Sequence, residues 1–333
     1  MKMNLIREID YKLLRARIIV AILFLAPTIV LLFAYPQNGI QGKKADDALM
    51  KKTNSFFNIF LLAKSVFVWD VNEQKAIYVK NEKESLPLAS VSKVMTALVA
   101  LDNMSGAEHV KITADSIKQE GDSGLRSDEK WKLKDLIDFS LMSSSNDGIY
   151  AVASAVESLK NDSGVKPPLA IMSVNQSGKE IARQNFIDSM NKKAEVIGLS
   201  QTNYLNETGL DISLNENGGY GSAEDMAKLF AYIIKNKPEI LEATAHDKIE
   251  LTSLDSISHT AQNTNEIVGA IPNLIASKTG YTDISGGNLV VAFDFGLMNP
   301  VVISVLGSTR DGRFEDMKKL VEATAKYLAD DKN

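Results

Sequence analysis

The sequence predicts an α+β fold in which one antiparallel sheet, flanked by helices, is built from both ends of the folded region. Two observations predict this class. β-Branched and aromatic residues dominate segments near both ends, at residues 65–80 and 288–308, as expected for strands. Between them, apolar residues recur with the 3.6-residue period of helices. This order indicates a single sheet with a helical subdomain inserted between its strands.

The individual elements follow in order along the chain. Residues 65–80 predict a β-hairpin, since two β-branched and aromatic runs flank a polar turn. Residues 88–101, "LASVSKVMTALVAL", predict a helix that is apolar on several faces and belongs in the core. Ser222 and Asp225 resemble a capping box that opens a helix at 223–235. Further elements are predicted at 132–142, 147–159, 179–199, 288–296, 300–308 and 314–328, the last with an apolar stripe of Met317, Leu320, Val321 and Leu328.

The first 35 residues predict a membrane anchor. Residues 18–35 carry no charge, and a helix of this length crosses most of a hydrocarbon core about 30 Å thick. Basic residues precede the span, which holds that end in the cytoplasm and places the following chain on the extracytoplasmic side of the cell membrane. A cleaved signal peptide is the alternative, although Leu32 stands where its cleavage site needs a small residue. The predicted organisation is a cytoplasmic segment at 1–17, a single transmembrane helix at 18–35, a linker at 36–55 and a folded domain at 56–333.

Composition excludes several classes of function. The net charge of -5 provides no basic surface of the kind that phosphate backbones require, so we expect no nucleic-acid partner. The chain has no cysteine, which removes disulfides and thiolate chemistry. Its three histidines follow no metal-ligand spacing, and we expect neither a metal nor another cofactor.

Three short motifs stand out by their order and context. Ser90 and Lys93 share the spacing Ser-x-x-Lys at the start of an apolar helix, directly after the hairpin. Ser144 and Asn146, with the spacing Ser-x-Asn, lie between two helical stretches, and Lys-Thr-Gly occurs once, at 278–280. The first two spacings recur elsewhere, and only context selects among the copies. The other copies begin at Ser127, Ser163 and Ser189 for Ser-x-x-Lys, and at Ser173, Ser189 and Ser213 for Ser-x-Asn.

The spacing of Ser90 and Lys93 indicates nucleophilic catalysis. Three residues along a helix place both side chains on one face, where the amine can reach the hydroxyl. Burial and the helix N-terminus both favour the neutral amine, which is a general base that can activate a serine. No histidine lies near the motifs, so a Ser-His-Asp triad has no obvious candidate. The duller interpretation makes Ser90 a helix cap and lets Lys93 extend to the surface.

In this order, the motifs resemble those of the serine penicillin-recognising family. The similarity is closer to its D-alanyl-D-alanine carboxypeptidases and runs from about Lys64 to the C-terminus. It is carried by the blocks "LASVSKVMTALVAL", "SSSNDGIYAVA", "LSQTNYLNETGLD", "GSAEDMAKL" and "SKTGYTDISGGNLV". The resemblance implies a β-lactamase/DD-peptidase-like fold, with the residues of the three motifs in one site.

The resemblance also implies catalytic roles. Ser90 would form an acyl-enzyme, with Lys93 as the base that takes its proton. Ser144 would pass a proton between Lys93 and the leaving amine. Asn146 would orient Lys93 and the substrate amide.

Further residues would bind the substrate. Lys278 and Thr279 would hold its terminal carboxylate, and Gly280 would let the strand backbone come close to the ligand. The backbone amides of Ser90 and Tyr281 would form the oxyanion hole. Many relatives have histidine where this chain has Tyr281, so only a backbone role is carried over.

These features predict a serine DD-carboxypeptidase that removes the terminal D-alanine of peptidoglycan stem peptides and is inhibited covalently by β-lactams. A DD-endopeptidase with the same residues remains open. A class A β-lactamase would need a Glu-x-x-Leu-Asn loop, and "ESLKN" at Glu157–Asn161 has lysine in place of leucine. A non-catalytic wall-binding protein is the third alternative, against which the intact motifs argue.

Overall fold

The computed structural model describes residues 55–162, 177–296 and 298–331. The predicted cytoplasmic segment, the transmembrane helix and nearly all of the linker lie outside these residues. Inside them, no helix combines the length and the apolar character needed to span a membrane. The residues from Ser55 onward form one unit, and the description below concerns this unit alone.

A five-stranded antiparallel sheet takes its strands from both ends of this unit, as predicted. In chain order the strands are β1 (Ser65–Asp70), β2 (Lys75–Lys80), β10 (Leu274–Thr282), β11 (Gly286–Asp294) and β12 (Pro300–Ser308). Their order across the sheet is β10-β11-β12-β1-β2. The two ends of the fold therefore meet between β1 and β12, where Val68 lies opposite Ile303.

Most of the helices lie in the chain between the two sets of strands. In the described residues these are α1 (Lys93–Asn103), α2 (Leu133–Met142), α3 (Asn146–Asp162), α4 (Ser177–Ile197) and α5 (Ala223–Asn236), with α6 (Gly312–Asp331) after the last strand. Three small antiparallel sheets connect them. Their strands are β3 (Leu86–Pro87), β4 (His109–Lys111), β5 (Lys130–Lys132), β6 (Asn203–Tyr204), β7 (Gly219–Gly221), β8 (Lys248–Thr252) and β9 (Ser258–Gln262), paired as β3-β7-β6, β4-β5 and β8-β9.

The large sheet separates two hydrophobic cores. Along β11, Val290 and Ala292 belong to the core shared with the inserted helices, whereas Leu289, Val291 and Phe293 belong to the core under α6. This alternation is the two-residue period of a strand. The predicted apolar stripe of α6 is buried in the second core, through Met317, Leu320, Val321 and Leu328.

The helix predicted at 88–101 differs from the structure at its start. Residues Ala89–Ser92 form a 3₁₀ turn, and the α-helix begins only at Lys93. Because side chains three residues apart eclipse one another in a 3₁₀ turn, Ser90 and Lys93 remain neighbours. The predicted cap of α5 is confirmed, since the Asp225 backbone N–H donates to the Ser222 hydroxyl at 3.1 Å.

Candidate active site

The side chains of Ser90 and Lys93 form the centre of the site. The Lys93 Nζ donates to Ser90 Oγ at 2.7 Å and to the carbonyl oxygen of Thr208 at 2.7 Å. Lys93 is fully buried, with 0% of its surface exposed. Burial lowers the pKa of Lys93 to about 7, and the carboxylate of Glu207 opposes this shift. Near neutral pH a substantial fraction of the amine is therefore neutral and able to accept the Ser90 proton.

The backbone before the serine is held in a strained conformation by close neighbours. Ala89 has a φ of 48°, in the left-handed region that residues with a Cβ rarely adopt. Gly209 lies against it, and a Cβ at Gly209 would collide with the carbonyl oxygen of Ala89. A Cβ at Gly280 would lie 2.7 Å from the carbonyl oxygen of Leu88 and 3.3 Å from the backbone nitrogen of Ser90. Strand β10 can approach the serine this closely because position 280 is glycine.

Ser144 lies in the connection between α2 and α3, also with a positive φ, of 60°. Its hydroxyl accepts a hydrogen bond from Lys278 Nζ at 2.9 Å, and the same nitrogen donates to the carbonyl oxygen of Thr279 at 2.9 Å. Lys278 is 1% exposed. Burial, together with the positive charges of Lys93 and Arg313, holds the pKa of Lys278 well below its usual range.

Asn146 begins α3 and makes a different contact from the one expected. Its side-chain nitrogen donates to the carbonyl oxygen of Glu120 at 2.7 Å. Its side-chain oxygen is buried and has no hydrogen-bond partner in the part of the chain that the structure describes. The expectation that Asn146 orients Lys93 is not met by a direct bond, because the Lys93 amine bonds to Ser90 and to the Thr208 carbonyl instead.

The Lys-Thr-Gly tripeptide lies within β10, directly before the strand pair β11 and β12. The polar Lys278 and Thr279 obscured the strand pattern, although both are buried. Thr279 Oγ1 lies 2.6 Å from Thr264 Oγ1, and the carbonyl oxygen of Gly280 accepts a hydrogen bond from Arg313 Nη1 at 2.7 Å. Tyr281 is 42% exposed, and its position in β10 directly after Gly280 keeps its backbone close to the serine.

The predicted residues surround one open cleft of about 430 Å³. Ser90, Ser144, Asn146 and Tyr281 line it, and the two buried lysines bond to Ser90 and Ser144 from behind. The cleft residues that sequence reasoning did not single out are Glu120, Gly121, Leu210, Asp211, Thr282 and Asp283. The structure thus brings the three motifs together from α1, the α2–α3 connection and β10.

Comparison with known families assigns the chain. The family model described as D-alanyl-D-alanine carboxypeptidase, Peptidase_S11, matches residues 52–162 and 172–309. The chain belongs to this family. Its D-alanyl-D-alanine carboxypeptidase relatives include DacF of Bacillus subtilis, which is 27% identical over 267 residues, covering 78% of this chain and 61% of the relative. The chain thus spans about three fifths of that protein. A D-alanyl-D-alanine endopeptidase of Escherichia coli is 27% identical over 233 residues, covering 68% of this chain and 66% of the relative.

Solved structures agree with this assignment at the level of the fold. Penicillin-binding protein D2 of Listeria monocytogenes, in its ampicillin-bound form, is 25% identical and has a TM-score of 0.61, covering 80% of this chain and 98% of that chain. A D-alanyl-D-alanine carboxypeptidase of Mycobacterium tuberculosis is 22% identical, with a TM-score of 0.64 and coverage of 80% and 92%. The expected DD-peptidase-like fold is confirmed.

Several contacts in this member of the carboxypeptidase family could not be located from motifs. Thr208 and Glu207 lie in "LSQTNYLNETGLD", a block that carried the resemblance without indicating which atoms face the lysine. Arg313 lies at the start of α6, far from the motifs in sequence. Glu157, the closest match to a β-lactamase glutamate, lines a separate cavity together with Glu207 and does not line the cleft.

The histidines of the described domain lie away from the cleft. The His259 ring is 2.7 Å from the Glu129 carboxylate and packs against Trp131 and Phe139. Its contacts join β9 to the loop before β5. Among the described residues, no group of three or more histidine, aspartate or glutamate side chains is placed to hold a metal ion.

Proposed function

We propose that this chain is a serine DD-carboxypeptidase that removes the terminal D-alanine from peptidoglycan stem peptides. The observation that carries the proposal is the 2.7 Å contact between a fully buried Lys93 amine and the Ser90 hydroxyl. A neutral amine at this distance can take the hydroxyl proton as the oxygen attacks a carbonyl. Family membership supports the choice of a D-alanyl-D-alanine peptide as the substrate.

In the acylation step, Ser90 Oγ forms a bond to the carbonyl carbon of the penultimate D-alanine while its proton moves to Lys93 Nζ. The negative charge that develops on the carbonyl oxygen is stabilised by the backbone N–H groups of Ser90 and Tyr281. The C–N bond then breaks as Lys93 gives up this proton, which passes by way of the Ser144 hydroxyl in the same cleft to the leaving amine of the terminal D-alanine. The product is an ester on Ser90.

In the deacylation step, water attacks the ester carbonyl and transfers a proton to the neutral Lys93 amine. Collapse of this intermediate releases the shortened peptide acid and returns the proton to Ser90 Oγ. The same steps with a β-lactam leave a covalent adduct, because opening of the lactam ring retains the leaving amine in the site. Penicillin is therefore both an inhibitor and a probe.

Recognition of the substrate's terminal carboxylate falls to β10. Lys278 is buried among positive groups and has the Ser144 and Thr279 oxygens as its hydrogen-bond partners. A substrate carboxylate placed between Lys278 and the Thr279 hydroxyl would supply the missing negative charge and favour the protonated amine. Asn146 lines the cleft, and its side-chain oxygen, which has no hydrogen-bond partner among the described residues, would accept the substrate's amide N–H.

The test of this function is covalent labelling of the full chain with a fluorescent penicillin. The wild type is expected to be labelled and Ser90→Ala is not. Ser189→Ala is the matched control, since Ser189 and Lys192 share the spacing of Ser90 and Lys93 but Ser189 bonds to the Asn185 carbonyl on an exposed helix surface. Failure of the wild type to label would overturn the proposal, and rapid turnover of a chromogenic cephalosporin would favour a β-lactamase.

The same preparation separates the two peptidase activities. Release of D-alanine from a pentapeptide defines the carboxypeptidase, whereas cleavage of a cross-linked dimer defines the endopeptidase that several relatives are named for. Binding of pentapeptide without release of D-alanine would instead favour a wall-binding protein.

We also propose that residues 18–35 anchor the protein in the cell membrane with the catalytic domain on the extracytoplasmic side. The uncharged span and the preceding basic residues support this orientation. Protease added to intact spheroplasts should digest the domain, whereas protection of the domain would contradict the proposed orientation.

A further inference from the structure

Glu207 is a buried carboxylate beside Lys93 that the mechanism above does not use. It immediately precedes Thr208, whose carbonyl oxygen accepts the second hydrogen bond of the Lys93 amine. Its side chain is 2% exposed. Burial of a carboxylate is costly unless a partner and hydrogen bonds compensate it, so the contacts of Glu207 decide what it does there.

Both ends of Glu207 are fixed to helices. Its backbone oxygen accepts a hydrogen bond of 2.7 Å from the hydroxyl of Thr96, which follows Lys93 by three residues on α1. Its carboxylate accepts two hydrogen bonds from Arg183 on α4, from Nε and from Nη2, both at 3.0 Å. A bidentate pair of this kind fixes orientation as well as charge. Glu207 therefore joins α1 to α4 beside the base.

The turn that contains Glu207 is equally well fixed. Asn206 Oδ1 accepts hydrogen bonds from the backbone nitrogens of Thr208 at 3.2 Å and Gly209 at 2.7 Å, and its Nδ2 donates to the Leu210 carbonyl at 2.9 Å. These bonds keep the Thr208 carbonyl directed at Lys93. The position of the amine is thus set by this turn as well as by Ser90.

Glu207 acts on Lys93 directly, whereas Arg183 acts on it through the carboxylate of Glu207. The carboxylate of Glu207 raises the pKa of Lys93 against the effect of burial, and the guanidinium of Arg183 partly neutralises that carboxylate. On the strand side, Lys278 faces Lys93 as a second cation when it is protonated. The other titratable groups around the pair line its cavity of about 360 Å³ and are Asp115, Tyr150, Glu157 and Glu180.

With the proposed function as its basis, we infer that Glu207 and Arg183 are positioning residues that set the charge and placement of Lys93, and with them the pH range in which Ser90 is acylated. Glu207 keeps the buried amine basic enough to accept the serine proton. Arg183 limits how strongly the charged form is favoured. A general base works best when its pKa lies near the working pH, and Glu207 and Arg183 together keep the pKa of Lys93 in that range.

The experiment measures the rate of acylation by a fluorescent penicillin from about pH 5 to about pH 9, using the full chain. The rate rises with pH as Lys93 loses its proton. Glu207→Gln is expected to move this rise to lower pH by at least about half a unit, which is about threefold in rate on the acid limb. Arg183→Gln leaves the carboxylate uncompensated and is expected to move the rise to higher pH. Arg183→Lys, which keeps the charge, should stay close to the wild type.

The matched control is Glu195→Gln, which makes the same chemical change on α4 in an exposed pair with Lys192. It should leave the profile unchanged. If a single variant does not fold, the double variant Glu207→Gln/Arg183→Gln leaves no unpaired charge. Its rise is expected at lower pH than in the wild type, because the carboxylate is the group that acts on Lys93 directly.

The possible outcomes separate this inference from the proposed function. Absence of acylation in the wild type contradicts the function itself. Normal acylation in the wild type, with the two single variants slowed equally at every pH, would show that the pair is merely structural. Shifts of both variants in the same direction would also overturn the inference.

Discussion

The helical and strand walls of the cleft each contribute a buried lysine, in opposite electrostatic surroundings. Lys93, on α1, has the carboxylate of Glu207 nearby, and its pKa remains about 7. Lys278, on β10, has Lys93 and Arg313 nearby, and its pKa is held well below its usual range. Burial acts in the same direction on both amines. The two amines thus share burial and differ in the sign of the neighbouring charge, which suits them to different tasks.

The helical wall is therefore suited to proton transfer near neutral pH, and the strand wall to binding an anion. Three predictions test this division, in order of expected effect. The first and third compare a change at a buried lysine with the same change at the exposed Lys192, and the second compares two substrates.

The largest effect is expected from Lys93→Met, which removes the base but keeps an apolar side chain of similar length. General-base catalysis contributes about 10²- to 10⁴-fold, and acylation of Ser90 should slow by that factor. The rate of labelling by fluorescent penicillin checks this, with Lys192→Met in the exposed Ser-x-x-Lys copy as the control. A variant that reacts within about tenfold of the wild type would assign the base elsewhere.

Lys278→Met should affect recognition of the carboxylate more than the chemical step. A hydrogen bond to a charged group contributes about 1.5–3 kcal/mol, or roughly ten- to a hundredfold in kcat/KM. We expect the wild type to prefer a peptide that ends in a free carboxylate over its C-terminal amide, and the variant to lose most of this preference. If the ratio of kcat/KM for the two substrates is the same in the variant and the wild type, Lys278 does not bind the substrate carboxylate.

The smallest effect concerns stability. The pKa of Lys93 falls from 10.5 in the unfolded chain to about 7 in the fold, so between these values the unfolded state binds more protons. Stability should therefore rise with pH across this window and be lowest below it, where both states are protonated. Lys93→Met should reduce the slope of the free energy of unfolding against pH by up to about 1.4 kcal/mol per pH unit. Lys278→Met should reduce this slope as well, because burial and the nearby positive charges also lower the pKa of Lys278 in the fold.

Denaturant unfolding of the detergent-solubilised full chain at a series of pH values measures these slopes. Lys192→Met again serves as the control, since it should give a curve parallel to that of the wild type. Parallel curves for all three variants would mean that the buried lysines keep their protons in the fold.

Sequence reasoning located the fold and the motif residues because each depends on local signals. The hairpin of β1 and β2, the cap at Ser222 and the apolar stripe of α6 follow from residue periods and turn chemistry. That the motif residues share one site was implied by the family resemblance. The contact between Ser90 and Lys93 survived the correction of the helix start because it depends on a separation of three residues, which both kinds of turn bring together.

The hydrogen-bond partners of Lys93 and Lys278 could not be predicted from the sequence, for a physical reason. Lys93 meets Thr208, 115 residues away, and Lys278 meets Ser144, 134 residues away. Such pairs depend on how the helical subdomain packs against the sheet, and a local sequence pattern does not predict that packing. The extent of β10 was not predicted for the converse reason, since its buried polar residues Lys278 and Thr279 break the apolar alternation of a core strand.

The left-handed backbone at Ala89 has a consequence for how this protein tolerates change. An alanine in that region costs about 1–2 kcal/mol that glycine would not incur. Ala89→Gly would therefore remove this backbone strain at the residue directly before Ser90. The relief would also free the peptide whose rigidity aims the Ser90 oxygen. Selection for thermal stability alone would thus favour glycine at position 89, and we expect the more stable variant to turn over more slowly.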